Sequence, residues 1–242
     1  MKNDFSSDEV IEYYYESIEA VGLWKSEECI FNKYVCKNDK ILDIGCGAGR
    51  TTFGLYDKGF KNIFGIDLEN KMIKAALKYK NNNNYTDLKF ECMDALLLEL
   101  EEKNFDVAFF SFNGYMQIPY LDNRIKLLNN ISKHLKENGI FIFTTLDRNN
   151  PDFTEFWKEE EVKWHNRTDN KLEQLGDLII EDSNRKYYMH IPDQTILNQI
   201  MIDNGFEVIE MTKRSNIAKE KESVLDFGDD CLFWITRKIS NE

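Results

Sequence analysis

No stretch of this 242-residue chain approaches the roughly 20 consecutive apolar residues that a membrane span needs, so no membrane association is expected. The opening residues Met1-Lys2-Asn3-Asp4-Phe5 lack the apolar core of a secretion signal, which points to the cytoplasm. Cysteine is sparse. Cys29, Cys36, Cys46, Cys92 and Cys231 form an odd, scattered set with no Cys-x-x-Cys pair, which argues against a zinc knuckle or a redox dithiol and fits reduced thiols. No metal site is expected. Basic residues fall short of acidic ones, 31 against 43, and do not cluster. A net charge of −12 brings no counterion-release attraction to nucleic acid. The expected partner is therefore a small molecule, neutral or cationic, rather than DNA or RNA.

What is present is an apolar fraction of 42 % with 13 % aromatics, enough for a sizeable core in one α/β domain carrying an insertion. Short apolar runs alternate with amphipathic stretches. Lys40 to Ile44 reads as a buried strand, Asn62 to Asp67, Leu88 to Met93 and Phe105 to Ser111 as further strands, and Ile140 to Leu146 as one apolar on both faces. Between them, Gly49 to Gly59 and Asn70 to Lys80 read as helices. A third helix is capped by Asp122 and ended by Asn138-Gly139. Strand-helix-strand repetition implies a doubly wound, mostly parallel sheet with helices on both faces. After Asp147 the rhythm breaks. Residues 148–190 read as an inserted cap ending in a hairpin, Asp177 to Asp182 against Lys186 to Ile191, turning at Ser183-Asn184-Arg185. The rhythm resumes over 191–242, where Asp193 caps a helix through Asn204, followed by strands Phe206 to Thr212 and Cys231 to Lys238. Residues 1–35 hold N-terminal lid helices, the first from Ser7 to Val21, and 36–147 the ligand-binding core.

The most informative segment is Asp43-Ile44-Gly45-Cys46-Gly47-Ala48-Gly49-Arg50, a strand running through three close glycines into a helix. In an open α/β sheet a nucleotide-like ligand sits at this first turn. A dinucleotide fingerprint, Gly-x-Gly-x-x-Gly/Ala, places its third small residue at position 50, where this chain has Arg50. Asp43, two residues before the first glycine, would repel a pyrophosphate but attract an α-ammonium group. These residues resemble the glycine-rich first motif of the class I S-adenosylmethionine-dependent methyltransferase family. The resemblance covers roughly 36–147 and 191–238. It implies a seven-stranded Rossmann-like core, S-adenosyl-L-methionine as cofactor and S-adenosyl-L-homocysteine as its product. By the same resemblance Asp67 takes the ribose hydroxyls and Asp94, beside Ala95, the adenine amino group. Leu68 and Met72 cover the adenine ring, Cys46 touches the ligand, and Ser111 and Phe112 face the methionine part. A lid-helix tyrosine can reach the methionine carboxylate in similar enzymes. Tyr15 or Trp24 would do so here, with Arg50 as a second partner, while Tyr14 is read as core.

No Asn/Asp-Pro-Pro-Tyr/Phe stretch follows the fourth strand, where Asn113-Gly114-Tyr115-Met116 stands, and no Pro-Cys occurs. The usual signatures of adenine or glutamine amino-methylation and of cytosine C5-methylation are thus missing. A small-molecule O-, N- or C-acceptor remains, with Asn113, Tyr115, Trp157, Tyr188 and His190 as its candidate contacts. Trp157 and Trp164 would alternatively form the core of the cap. His190 is the best base candidate of three histidines, against a structural hydrogen bond; His134 is read as solvated and His165 as lying in a charged stretch. The competing readings are a tRNA or protein methyltransferase, a non-catalytic cofactor-binding regulator, and a nicotinamide-dependent oxidoreductase.

Overall fold

The computed structural model describes residues 5–101, 103–167, 172–181 and 186–239. Helix α1 (Asp8–Ala20) opens on Ser7, whose hydroxyl accepts the Val10 N–H at 3.3 Å. Helix α2 (Lys25–Tyr34) opens on Glu27, whose carboxylate accepts the Trp24 N–H at 2.8 Å. Then come β1 (Ile41–Ile44), α3 (Arg50–Asp57), β2 (Ile63–Asp67), α4 (Asn70–Asn82), β3 (Lys89–Cys92), β4 (Phe105–Phe110), α5 (Leu121–His134) and β5 (Leu135–Leu146). The segment after β5 holds α6 (Thr154–His165) and the hairpin β6 (Asp177–Glu181) and β7 (Lys186–His190). The expected turn Ser183-Asn184-Arg185 and Asp182 lie outside the described residues. The chain closes with α7 (Gln194–Asp203), β8 (Phe206–Lys213), α8 (Arg214–Ile217), α9 (Glu222–Phe227) and β9 (Cys231–Lys238).

Seven strands form one sheet in the order β3-β2-β1-β4-β5-β9-β8. β1 to β5 pair in parallel, and β9 runs antiparallel to both β5 and β8. The expected mostly parallel, doubly wound architecture is therefore present. Because β1 pairs with β2 on one side and β4 on the other, chain connections diverge there and open a crevice at the strands' carboxyl ends. Alternating side chains feed two cores. Ile41, Ile63, Val107, Phe109, Ile142 and Phe233 pack under α1 to α4, while Leu42, Ile44, Ala108, Phe141 and Trp234 pack against α5 and α7. The β6–β7 hairpin forms its own sheet over a smaller cluster of Met116, Trp157, Met189 and Ile191.

Three local expectations are corrected. Helix α5 starts at Leu121 after Tyr120, which sits at φ +68°, so Asp122 lies in the first turn and is not the cap. The helix stops at His134, before Asn138-Gly139, because Leu135 leaves it to pair with Phe105 of β4 and is buried there. Asn138, at φ +61°, then falls within β5, where the register jumps before Ile140 meets Val107. His134 is buried, not solvated, and its Nδ1 donates to the Asn130 carbonyl at 2.8 Å.

Candidate functional site

A cavity of about 590 Å³ opens at the carboxyl ends of β1, β2, β3 and β4. Its floor is the glycine turn. Gly45, Gly47 and Gly49 all take left-handed backbone, at φ +62°, +56° and +98°, which side chains with a Cβ resist. The three glycines do different things. A Cβ at Gly45 would stand 2.6 Å from the Phe110 ring, and one at Gly49 would stand 2.5 Å from Phe53. A Cβ at Gly47 would meet nothing within 4 Å, so that residue faces open space in the cavity. The turn is fixed from the neighbouring strand: Cys46 N–H donates to the Ile66 carbonyl at 2.9 Å, and Gly47 N–H to Asp67 Oδ2 at 2.8 Å.

Asp67 closes β2 and ties two turns together, since its Oδ1 also accepts the Glu69 N–H at 2.8 Å. Burial raises its pKa, and the Glu69 and Gly47 N–H groups pull it back. Asp94, after β3, caps a short 3₁₀ turn by accepting the Leu96 N–H at 2.8 Å. Leu68, Met72, Met93 and Ala95 line the wall beside these acids, and Leu68 is 68 % exposed at the rim. Asp43 is placed differently from the expectation. It is fully buried behind the wall, with Oδ2 accepting from Thr51 at 2.8 Å and Thr52 at 2.6 Å, and its Oδ1 has no partner. Burial pushes its carboxyl up to about 6, against the hydrogen bonds from Thr52 and Thr51. Cys46 lines the wall, but burial drives its thiol well above the usual range, so it is no nucleophile at neutral pH.

Arg50 also lines the cavity, and the structure supplies a partner the sequence reading missed. Its guanidinium forms a two-armed pair with Glu27 at 2.7 and 2.9 Å and donates to the Gly22 carbonyl at 2.8 Å. Both side chains are buried, so this pair clamps the N-terminal helices onto the glycine turn. Those three bonds use three of the five N–H donors of the guanidinium. Above it lies a chain of aromatic rings: Tyr14 from α1, Phe112 after β4 and Phe227 at the end of α9, all lining the cavity. Phe112 and Phe227 stack at 4.6 Å, and Tyr14 meets each edge-on at 6.3 Å. Phe5 lies 6.5 Å from Tyr14 and 6.3 Å from Tyr187 of the hairpin.

Gly45, Cys46, Gly47, Arg50, Asp67, Leu68, Met72, Asp94, Ala95, Ser111 and Phe112 come together on this wall. Others named from the sequence do not. Tyr15 turns away to pack on Tyr79, and its neighbour Tyr14 takes the wall. Trp24 is buried behind Phe112, between the Arg50 and Arg214 guanidinium groups at 5.0 Å each. Gly49 sits behind the turn on Phe53, and Asn113 bonds through its N–H to Thr144 Oγ1 at 2.7 Å. Tyr115 is core against Phe143, and Trp157 packs in the hairpin cluster under Arg148. Tyr188 and His190 share a buried network instead. Asp177 Oδ1 accepts from Tyr188 and, at 2.7 Å, from His190 Nδ1, while Asp177 Oδ2 accepts the Glu173 and Gln174 N–H groups at 2.9 Å. Arg124 of α5 donates to the Tyr188 hydroxyl at 3.0 Å. Burial lowers the His190 pKa, opposed by the Asp177 hydrogen bond that its Nδ1–H makes. This geometry anchors the hairpin to α5 and does not present a base to the cavity.

A family model described as a methyltransferase domain matches residues 36–215. The chain is 27% identical over 180 residues to a ubiquinone biosynthesis O-methyltransferase of Rickettsia akari, covering 65% of this chain and 68% of that one. It is 29% identical over 110 residues to the human eEF1A lysine and N-terminal methyltransferase, covering 46% of this chain but only 15% of that protein. Among solved structures, a SAM-dependent methyltransferase from Methanosarcina mazei shares the fold, with a TM-score of 0.71 at 20% identity, over 91% of this chain and 100% of that one.

Proposed function

The chain belongs to the methyltransferase-domain family and is an S-adenosylmethionine-dependent enzyme, and from that premise we propose that it methylates a small molecule held on the β4 side of the cavity. The observation that carries this reading is the glycine turn, open at Gly47 and locked to the Asp67 carboxylate. The residues present fit the cofactor. Gly47 offers the space a Cβ would fill, and the Asp67 and Asp94 carboxylates line the cavity beside it.

When bound, S-adenosylmethionine supplies a methyl carbon on a positive sulfur, already activated for in-line displacement. Asp67 is placed to accept from the ribose hydroxyls while its backbone bonds hold it still. Asp94 uses one oxygen on Leu96 and keeps the other for the adenine amino group, with Leu68 and Met72 beside the ring. Arg50 keeps two donors for the methionine carboxylate while Glu27 fixes its position. Ser111 and Phe112 border the methyl side. The chain's contribution is then mainly alignment and exclusion of water, effects worth up to ~7–11 kcal/mol in well-oriented reactions. The enclosure of the cavity beneath Phe5, Tyr14 and Phe227 supports a small acceptor, as does the name of the Rickettsia relative. The name of the human relative favours a protein acceptor as the second reading. Net acidity supports an acceptor other than nucleic acid, and the five unpaired cysteines support the cytoplasm. Among the described residues no helix is long and apolar enough to cross a membrane.

Thermal shift tests the reading, because binding stabilises by RT ln(1 + [L]/Kd). S-adenosylmethionine and S-adenosylhomocysteine are expected to raise Tm and NAD to leave it unchanged. Asp67→Ala is expected to abolish most of that rise, and an undiminished rise in this variant refutes the assigned ribose contact.

A further inference from the structure

We infer that the methyl acceptor is a planar, uncharged aromatic molecule stacked among Tyr14, Phe112 and Phe227. The inference rests on the methyltransferase reading above and deepens it. The three rings come from segments far apart in sequence, yet they touch in an unbroken series at 4.6 and 6.3 Å on one side of the cavity. That side is the β4 side, across β1 from Asp67 and Asp94, which end β2 and follow β3.

The backbone indicates that the position of Phe112 matters. Phe112 takes φ +47° and Asn113 φ +61°, a left-handed pair in which a bulky aromatic residue is costly. The strain is held by Asn113 N–H on Thr144 and Gly114 N–H on the Ser111 carbonyl at 3.1 Å. Gly114 has no Cβ because one would stand 2.0 Å from the Phe110 ring beneath it. The outcome is a Phe112 ring standing over the cavity against Phe227.

Charge narrows the class further. Among the described residues lining the cavity, Arg50 is the sole cation, and Glu27 and the methionine carboxylate assigned to it above take up its donors. An acceptor bearing a carboxylate or phosphate therefore finds no free positive partner. The lining acids Asp67, Glu69 and Asp94 all belong to the ends of β2 and β3, so an ammonium on the β4 side finds no carboxylate. What that side offers is ring faces, the Ser111 hydroxyl and Ile118. Stacked or edge-on rings add to plain apolar burial, which selects planar over saturated molecules.

The test uses the full chain saturated with S-adenosylhomocysteine and four probes of similar size: naphthol, naphthoate, naphthylmethylammonium and saturated decahydronaphthol. Calorimetry is expected to show naphthol binding about tenfold more tightly than each of the others. Phe227→Ala is expected to weaken naphthol about tenfold while S-adenosylhomocysteine affinity stays within about twofold. Phe227→Leu, which keeps apolar bulk without a ring, is expected to restore little of the loss. Equal or tighter binding of naphthoate or of the ammonium overturns the charge argument. Equal binding of decahydronaphthol, or full rescue by Phe227→Leu, overturns the stacking argument. If S-adenosylhomocysteine itself fails to bind, the methyltransferase reading falls and takes the acceptor with it, a result distinct from the other two.

Discussion

Glu27→Gln is the sharpest perturbation of this architecture. The substitution nearly preserves shape but removes the charge opposite Arg50 and presents an amide N–H₂ to a guanidinium that can only donate. Both partners are almost inaccessible, at 7% and 1% exposure, so solvent screening does not soften the loss. Removing one member of a buried pair typically costs ~3–5 kcal/mol, because the remaining charge stays buried and uncompensated. For a chain of this size, that corresponds to a Tm lower by roughly 6–20 °C. Urea unfolding followed by tryptophan emission reads it directly, since Trp24 lies 5.0 Å from the Arg50 guanidinium. The double variant Glu27→Leu with Arg50→Met replaces the pair by apolar groups and is expected to recover most of the stability, within ~1–2 kcal/mol of the parent. A Glu27→Gln cost below ~1 kcal/mol, or a double variant whose losses simply add, would show that the pair does not clamp the lid onto the glycine turn.

Three further outcomes follow from the same geometry. Gly47→Ala meets no clash, so it is expected to cost only ~1–2 kcal/mol through its positive φ, yet to remove most of the thermal shift by S-adenosylmethionine; retention of the shift would mean the open space there is not the ligand's. His190→Gln is expected to lower stability by ~1–3 kcal/mol in urea unfolding and to leave the pH profile of methyl transfer unchanged, because His190 bonds Asp177 off the cavity wall; loss of an acidic limb in that profile would restore it as the base. Asp43 has its folded pKa raised to about 6, so its stabilising contribution is complete below ~4 and is lost as pH rises through 6. Relative to Asp43→Asn, the parent is expected to lose ~3 kcal/mol between pH 4 and 7.5 in parallel urea titrations, and a flat difference would refute the assignment.

The sheet was legible because its central strands are apolar runs bounded by turn residues, and the glycine turn because its spacing excludes a dinucleotide at Arg50. The cover was less so. Helical periodicity shows which side of α1 faces inward, but not whether core or cavity lies beneath. Tyr14 reads as core and Tyr15 as a ligand contact, whereas Tyr14 both packs on the core and lines the cavity and Tyr15 packs on Tyr79. Arg50 advertised a charge without revealing that its partner stood 23 residues earlier. Tyr188 and His190 read as acceptor contacts, but Asp177 across the strand pair draws both into a buried network. Phe227 lies at the end of a six-residue helix, too short for periodicity to register.

These gaps fall in one place, and that has a consequence. The family match spans 36–215, whereas Phe5, Tyr14, Glu27 and Phe227 all lie outside it. The matched region holds the sheet, the glycine turn, Asp67 and Asp94, which the proposed function assigns to the cofactor. The flanking segments build most of the aromatic wall and are bound to one another: Glu220 accepts the Lys25 and Ser26 N–H groups at 2.9 and 2.8 Å. On the proposed reading, acceptor choice rests largely on residues outside the matched span, and these are bonded to one another. Exchanging 1–35 or 216–230 alone for the segment of a relative breaks this linkage. Such a chimera is expected to keep cofactor binding and lose acceptor binding, and a single-segment swap that transfers acceptor preference intact would contradict a cover built as one piece.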